Sequence, residues 1–213
     1  MGLTMDKKVF IAVPMMYKVD SQFMTSMMGL ETNGIAKLGV HVGSLVYSAR
    51  NDLTVQALDG GYEYILWLDS DMVFDSDLLM RLMDDMSYGY EYVSGLCFRK
   101  KFPTEPVIAK KLWWKQDENG IDHGAEVYLD YPENEVFEVA GSGFGCVMMK
   151  TQLALEVAER FRMSPFLPLP QMGEDYSFCW RLGRLGKKMY CDSSVKLGHV
   201  GSYIFTEEDY VRH

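Results

Sequence analysis

The amino-acid sequence predicts an α/β fold in a single domain. Its 213 residues suit one domain, and hydrophobic residues (48%) and charged residues (24%) occur in globular proportions. Through the first half, short apolar runs alternate with segments of helical periodicity, which is typical of strands joined by crossover helices. The second half changes to strands in a meander, so we expect a mixed central sheet.

Strands and helices are predicted to alternate through the first half. The first helix has Phe23, Met27 and Leu30 at helical spacing, and the third is expected to begin after a cap at Asp75 or Ser76. The predicted strands cover 9–13, 40–42, 62–68 and 92–98, and the predicted helices cover 21–38, 44–59 and a third segment that ends before Gly89.

In the second half, turn residues separate the apolar runs more closely. The predicted strands cover 107–114, 126–131, 136–139, 146–149 and a last one near 189–191, and the predicted helices cover 151–161 and 174–185. Pro165, Pro168 and Pro170 exclude a helix from residues 164–171. We therefore expect that segment to be a loop.

Charge and cysteine content exclude several classes of protein. Lys and Arg number 21 against 30 Asp and Glu, a net charge of −9, and an acidic surface repels a phosphate backbone, so duplex DNA is an unexpected partner. The four cysteines form no CxxC pair, which favours a reducing, cytoplasmic compartment over a disulfide framework or a zinc site. No apolar run approaches the ~18 residues of a membrane span.

The segment YILWLDSDMVF is the most informative for function. An apolar strand ends there directly in Asp69, Ser70 and Asp71, and ligands of open α/β sheets bind beyond the carboxyl ends of strands. Alternate residues of an extended strand point the same way, so Asp69 and Asp71 are expected to converge. Two carboxylates suit Mg²⁺ or Mn²⁺ bound to substrate phosphates. Capping of the following helix is the alternative explanation.

Residues 48–74 resemble the nucleotide-sugar domain of the glycosyltransferase-A (GT-A) fold, in particular its family 2 enzymes. The resemblance consists of an Ala-Arg-Asn helix, an Ala, a Gly-x-Tyr turn and an apolar strand ending in Asp-x-Asp. The matching residues are Ala49, Arg50, Asn51, Ala57, Gly61, Tyr62, Asp69 and Asp71. The earlier IAVPMMY, with Pro14, is similar to the family's opening nucleotide-binding motif. Met72 departs from the family, which often has a third acidic residue there.

A second match lies downstream, in GEDYSFCWRLGRLGKKMYCD. It resembles the family's Glu-Asp segment at the start of a helix, and the matching residues are Glu174, Asp175, Trp180, Arg181, Gly186, Lys187 and Asp192. In inverting members the Asp is the general base on the acceptor hydroxyl, a role that the resemblance gives to Asp175, next to Glu174. A carboxylate pair that complements the helix dipole is the alternative. Ser193 and Ser194 depart from the family's pattern after this strand.

His199, in LGHVG, falls where metal-dependent members of the fold carry a metal-binding His after the last core strand. The resemblance thus implies a Mn²⁺ or Mg²⁺ site formed by Asp71 and His199, with Asp69 at the metal shell or the ribose. Imidazole suits Mn²⁺ better than Mg²⁺. A lone His between glycines is otherwise most often a loop residue.

Three further features allow two interpretations each. Gly143 lies in AGSGFGC, which is no dinucleotide fingerprint, and it is expected either to line the donor sugar, as in related enzymes, or only to form a turn. The basic segment 99–101 could approach a diphosphate or an acidic acceptor, or be a solvated loop. Trp113 and Trp114 could stack on a sugar or belong to a core or contact surface.

The resemblance implies one GT-A catalytic domain, with a Rossmann-like nucleotide-binding half at 1–99 and a smaller acceptor and catalytic half at 100–213. The expected reaction moves a sugar from a nucleoside-diphosphate sugar, whose nucleotide Arg50 would orient, to a glycan, lipid-linked, protein or modified-base acceptor, with inversion. Compact chains of this type are frequent in phages. The alternatives are a retaining enzyme, a sugar-phosphate nucleotidyltransferase and a non-catalytic carbohydrate-binding or scaffold protein.

Overall fold

The computed structural model describes residues 8–16, 18–43, 45–201 and 203–210. Within these ranges the helices are α1 (Ser21–Gly29), α2 (Val46–Asp59), α3 (Leu78–Ser87), α4 (Thr151–Phe161) and α5 (Glu174–Arg184), with a 3₁₀ turn at Glu207–Asp209. The strands are β1 (Val9–Met15), β2 (Ala36–Val42), β3 (Tyr64–Leu68), β4 (Met72–Val73), β5 (Tyr92–Leu96), β6 (Ile108–Asp117), β7 (Gly120–Val127), β8 (Val136–Val139), β9 (Gly141–Ser142), β10 (Cys146–Lys150), β11 (Met189–Lys196), β12 (Gly198–Val200) and β13 (Ile204–Phe205).

A seven-stranded mixed sheet forms the centre, in the order β2-β1-β3-β10-β5-β11-β8. β1 pairs in parallel with β2 and β3, and β5 pairs in parallel with β11. β10 lies antiparallel between β3 and β5, and β8 lies antiparallel at the edge. The continuous apolar runs of β1 and β3 follow from this position, since parallel central strands are covered on both faces. The predicted mixed α/β architecture is confirmed.

Two small sheets flank the central one. β6 forms a hairpin with β7 and also pairs with β9. β12 pairs antiparallel with β13 and with β4, and this register puts His199 opposite Met72. The second ladder therefore brings a residue near the end of the chain beside the segment that follows β3.

The side chains of β3 divide the core into two parts. Ile65 and Trp67 pack on one face of the sheet and Leu66 and Leu68 on the other, as the alternation of a strand requires. All four are fully buried. No helix in the described part of the chain is both long enough and apolar enough to cross a membrane.

The helix predicted over 21–38 is wrong in its second half. It ends at Gly29, and residues 36–42 form β2 instead. Asn33 and Gly34 adopt left-handed backbone angles (φ 47° and 76°) that stop a right-handed helix. The Asn-Gly pair is itself a turn signal, and it outweighed the apolar spacing.

Two other local predictions also need correction. α3 begins at Leu78 with Asp77 as its N-cap residue, and no side chain caps it, so neither Asp75 nor Ser76 has the predicted role. The strand predicted over 126–131 is β7, at 120–127, because Gly120 (φ 122°) allows a tight turn directly after β6.

Candidate functional site

A cavity of about 250 Å³ opens beyond the carboxyl ends of β1 and β3, at the start of α5. Almost all of the residues predicted for the site line it: Pro14, Arg50, Asp69, Asp71, Glu174, Asp175 and His199. Gly143 does not line it but lies next to it, since a Cβ atom on this glycine would be 3.7 Å from Asp175 Oδ2. The topology thus gathers segments that lie far apart in the sequence.

Arg50 is the buried centre of the site. It projects from the buried face of α2 and is 2% exposed. Its Nη2 donates to Asp69 Oδ1 at 2.9 Å and its Nε donates to Glu174 Oε1 at 3.3 Å. The guanidinium lies 5.5 Å from the ring centre of Trp67 and 5.1 Å from that of Phe144. One cation therefore links α2, the end of β3 and the start of α5.

The electrostatics around Arg50 combine burial and charge. Burial alone would lower the pKa of Arg50, but the charges of Asp69 and Glu174 outweigh it and the pKa is raised. Burial raises the pKa of Asp69 despite its contact with Arg50. Asp69 keeps 32% of its side-chain surface exposed, whereas Glu174 keeps 16%. The predicted contact of Arg50 with a nucleotide stays a prediction, and its observed contacts are the two carboxylates.

Asp175 lies in the first turn of α5 and accepts a hydrogen bond from the backbone N–H of Tyr176 at 2.7 Å. Burial and the neighbouring negative charge of Glu174 together raise the pKa of Asp175 to about 6, against the lowering effects of the Tyr176 N–H and of Arg50. A carboxylate with such a pKa is still ionised at neutral pH and has gained basicity.

Asp71 has two side-chain partners, the ammonium group of Lys100 and the imidazole ring of His199. Lys100 Nζ contacts its Oδ2 atom, and His199 Nε2 lies 3.5 Å from its Oδ1 atom. Burial opposes ionisation, but the hydrogen bonds from His199 and Lys100 outweigh it and lower the pKa of Asp71 to about 2. His199 Nδ1 is 2.8 Å from the carbonyl oxygen of Phe98. Because a carbonyl only accepts, Nδ1 carries a proton. Nε2 faces Asp71 and donates to it in the doubly protonated imidazolium, whereas in the neutral ring it presents a lone pair.

The contacts of Asp69 and Asp71 differ from the predicted convergence. β3 ends at Leu68, and residues 69–71 form a turn closed by a hydrogen bond from Met72 N to Asp69 O. Both carboxylates line the cavity, but Asp69 binds Arg50 whereas Asp71 binds Lys100 and contacts His199. In the ranges described, no three or more His, Cys, Asp or Glu side chains are placed to share a metal ion.

The pair formed by Asp71 and His199 nevertheless fits a divalent cation with few protein ligands. Mg²⁺ and similar ions usually take one or two side chains and complete their shell with water and phosphate oxygens. The hydrogen bond to Phe98 fixes the ring of His199 with Nε2 directed at Asp71, as carbonyl partners do for metal-binding imidazoles. Asp69 as a metal ligand stays a prediction.

Sequence reasoning missed the roles of Lys100, Phe98 and the aromatic pair around Arg50. The sequence marks Lys100 only as part of the basic segment 99–101, which could approach a diphosphate or an acidic acceptor, or be a solvated loop. Its position depends on the loop 98–106, which is closed by the bridge between Phe98 and Pro106. No local sequence pattern predicts the contact between Lys100 and Asp71. Trp113 and Trp114 do not line this cavity and lie on β6 instead.

Comparison with known proteins shows the fold. No protein-family model and no curated protein matches the chain. Among solved structures, the chain is similar to the crystal structure of A197 from STIV, with a TM-score of 0.67 and 18% sequence identity over 97% of this chain and 95% of that chain. At this identity the likeness shows a common mixed α/β fold along nearly the whole length.

Replacing Arg50 by Met should destabilise the protein by about 3 kcal/mol at pH 7.5, because it leaves Asp69 and Glu174 without their buried cation. Without Arg50, the pKa values of Asp69 and Asp175 rise further, so the folded variant binds protons that the unfolded chain releases. Its deficit should therefore shrink as the pH falls to 5. Urea unfolding of both proteins at the two pH values measures this difference.

The control is Arg99→Met, which removes a partly exposed cation 3.9 Å from Glu105 and should cost less than about 1 kcal/mol. A deficit for Arg50→Met that equals the control, or that grows at low pH, would contradict the role of Arg50 as the buried counter-ion.

Proposed function

We propose that this protein is a metal-dependent glycosyltransferase of the GT-A type, which moves a sugar from a nucleoside-diphosphate sugar to an acceptor hydroxyl with inversion. The observation that carries the proposal is one cavity that holds both an Asp71–His199 pair suited to a cation and the basic carboxylate of Asp175. Its position beyond the carboxyl ends of parallel strands supports a nucleotide ligand.

The nucleotide would enter between the end of β1, at Pro14, and the start of α2, at Val46, which both line the cavity. Arg50 is too buried to bind it alone, and we assign Arg50 the task of holding Asp69 in place. The exposed part of the Asp69 carboxylate then accepts a hydrogen bond from a ribose hydroxyl. Gly143 lies next to Asp175, but the space over its Cα is filled by Val107, so its contact with the donor sugar stays a prediction.

Asp71 and His199 would hold Mn²⁺ or Mg²⁺. When bound, the ion supplies positive charge that stabilises the leaving diphosphate. The pKa of Asp71 is lowered to about 2, so its carboxylate is ionised throughout the physiological range and available to a cation. Imidazole favours Mn²⁺. Lys100 Nζ, now on Asp71, would turn to the diphosphate oxygens and add a second positive charge there.

Asp175 would accept the proton of the acceptor hydroxyl as that oxygen attacks the anomeric carbon. Its raised pKa, about 6, suits the task because the base is ionised at neutral pH and yet holds a proton better than an ordinary carboxylate. Glu174 contributes indirectly, since its negative charge raises the pKa of Asp175 while Arg50 fixes its position.

A thermal-shift panel tests the proposal. UDP, GDP, CDP, dTDP and ADP are each added with and without Mn²⁺ to the wild type, to Asp71→Asn and to Asp77→Asn. Ligand at ~100 times its Kd stabilises by about 2.7 kcal/mol, or roughly 5 to 10 °C in Tm for a domain of this size. We expect one nucleotide to give a Mn²⁺-dependent shift that Asp71→Asn loses.

Asp77→Asn is the matched control, because Asp77 is exposed and its side chain caps nothing. It should keep the full shift. If no nucleotide stabilises the wild type in either condition, the glycosyltransferase proposal fails and the alternative of a non-catalytic scaffold is favoured.

The rate of sugar transfer should rise with pH through about 6 and level off above pH 7, because the base must be deprotonated. Glu174→Gln removes a negative charge that raises the pKa of Asp175, so the midpoint should move to lower pH. Glu118→Gln makes the same change at an exposed residue and should leave the midpoint where it is in the wild type. A midpoint that Glu174→Gln does not move would remove Asp175 from the role of base.

Lys100→Gln should tighten Mn²⁺ binding about fivefold while it weakens binding of the nucleotide in the presence of Mn²⁺. The ammonium competes with the ion for Asp71, and a partly exposed ion pair is worth about 1 kcal/mol. Electron paramagnetic resonance of free Mn²⁺ measures the first effect. Lys101→Gln makes the same change of charge but its partner is Glu105, 2.9 Å away. Equal effects of the two variants would show that only the net charge matters.

A further inference from the structure

We infer that a second cavity, on the flank of α5, binds an acidic oligosaccharide, and that it receives the distal end of the acceptor. The cavity measures about 650 Å³. We call it the tryptophan groove, and its defining residues are Trp113, Trp114, Trp180, Gly183 and Arg184. The inference about the acceptor rests on the proposed function, whereas binding of the saccharide can be tested without it.

The aromatic composition of the groove is the first observation. The chain has four tryptophans, and three of them line the groove, while Trp67 is buried in the core. Trp113 is 42% exposed, and its ring lies across Gly124, where a Cβ atom would be 2.4 Å from the ring. One ring face is thus backed by β7 and the ring still offers a large apolar surface. Sugars present such surfaces with their axial hydrogens, which pack on aromatic rings.

Polar groups at the rims fix the aromatic side chains and offer hydrogen-bond partners. Trp113 Nε1 donates to Asp122 at 3.0 Å and Trp114 Nε1 donates to the carbonyl of Pro170 at 3.0 Å. Trp114 and Trp180 meet edge to face, with 5.6 Å between ring centres. The groove is therefore preformed, and an aromatic wall with a few polar groups is typical of small-ligand sites.

The charge of the groove opposes that of the whole chain. Arg184, Lys187 and Lys188 line it against one carboxylate, Glu138, on a protein of net charge −9. Lys188 pairs with Glu138 at 2.8 Å, and Lys187 is held by carboxylates outside the groove. Arg184 lies 5.9 Å above the ring of Trp180 and has no carboxylate partner in the described part of the chain. A guanidinium without a carboxylate partner favours a carboxylated ligand over a neutral one.

The groove is tied to the candidate site by one helix. Asp175 lies in the first turn of α5 and Gly183 lies near the end of the helix, about 12 Å further along the axis at 1.5 Å per residue. The loop that contains Pro170 joins the two places, because Leu169 N donates to Ser177 Oγ on α5 while Pro170 accepts from Trp114. We place the reactive hydroxyl of the acceptor at Asp175 and its distal residues in the groove, which this distance separates.

Single-stranded nucleic acid is the competing ligand for a site with aromatic rings and cations. Such sites present bare ring faces on which successive bases stack. Here the guanidinium of Arg184 covers one face of Trp180, and Trp114 meets that ring edge to face. The overall negative charge also repels a chain of phosphates. The observations favour the saccharide.

Gly183 provides a sharp test. A Cβ atom at this position would meet no atom within 4 Å, and glutamine has a higher helix propensity than glycine. Gly183→Gln should therefore fold normally and place a side chain in the groove. Gly29→Gln is the control, because Gly29 ends another helix with equally free space. The probes are a hyaluronan tetrasaccharide, neutral chitotetraose and the octanucleotide dT8.

Binding is measured by quenching of tryptophan fluorescence in the full-length protein. We expect the hyaluronan tetrasaccharide to quench the wild type, Gly29→Gln and Asp175→Asn alike. Gly183→Gln should weaken its affinity at least tenfold, and Arg184→Gln about tenfold through loss of a charge-assisted bond. Because Asp175→Asn is inactive under the proposed function but keeps the groove, a failed transferase proposal and a failed groove give different results.

Three outcomes would overturn the inference. Equal affinity for chitotetraose and for the hyaluronan tetrasaccharide would show that the ligand need not be acidic. An affinity of Gly183→Gln for the hyaluronan tetrasaccharide equal to that of the wild type would show that it binds outside the groove. Tighter binding of dT8 than of the tetrasaccharide, lost in Gly183→Gln, would make the groove a nucleic-acid site.

Discussion

The ion pairs of one buried arginine hold the candidate site together. A charged guanidinium in the interior is costly unless its charge is compensated, and Arg50 is compensated at the same time by Asp69 from the end of β3 and by Glu174 from the start of α5. The two rings beside it, Trp67 and Phe144, exclude water from its faces and strengthen these contacts. Through these two contacts Arg50 holds the end of β3 and the start of α5, which both line the cavity, next to each other.

α5 transmits that constraint to the rest of the molecule. Its inner face packs into the core through Phe178 and Leu182, so the helix cannot shift without disturbing the sheet. Its first turn carries the carboxylates of the site, and its last turn carries Arg184 at the tryptophan groove. A single rigid element thus sets the distance between the place of the proposed chemistry and the place proposed for the far end of the acceptor. Rigid helices hold such spacing better than loops.

Features that depend on neighbouring residues in the sequence could be predicted, whereas features that depend on contacts between distant segments could not. The bounds of α4 and β8 are predicted correctly. Each follows from the residues of the segment itself and does not depend on distant parts of the chain. Helix α1 was predicted too long because the turn at Asn33 and Gly34 outweighed apolar periodicity. The acidic residues of the site could be predicted from residue order and resemblance. The contact of Lys100 with Asp71 could not, since it depends on a loop and a strand ladder that join distant segments.

The antiparallel strand β10 has a consequence for biosynthesis. It inserts between β3 and β5, so a nascent chain of which only residues 1–99 have emerged contains two strands, β3 and β5, without the strand that pairs with both of them. Exposed edges of apolar strands pair readily with other chains. The sheet becomes continuous only after residue 150 has emerged, and β11 and β8 complete it near the end of synthesis. The chain consequently completes its native sheet late in translation, and a fragment that ends early exposes strand edges that can pair with other chains.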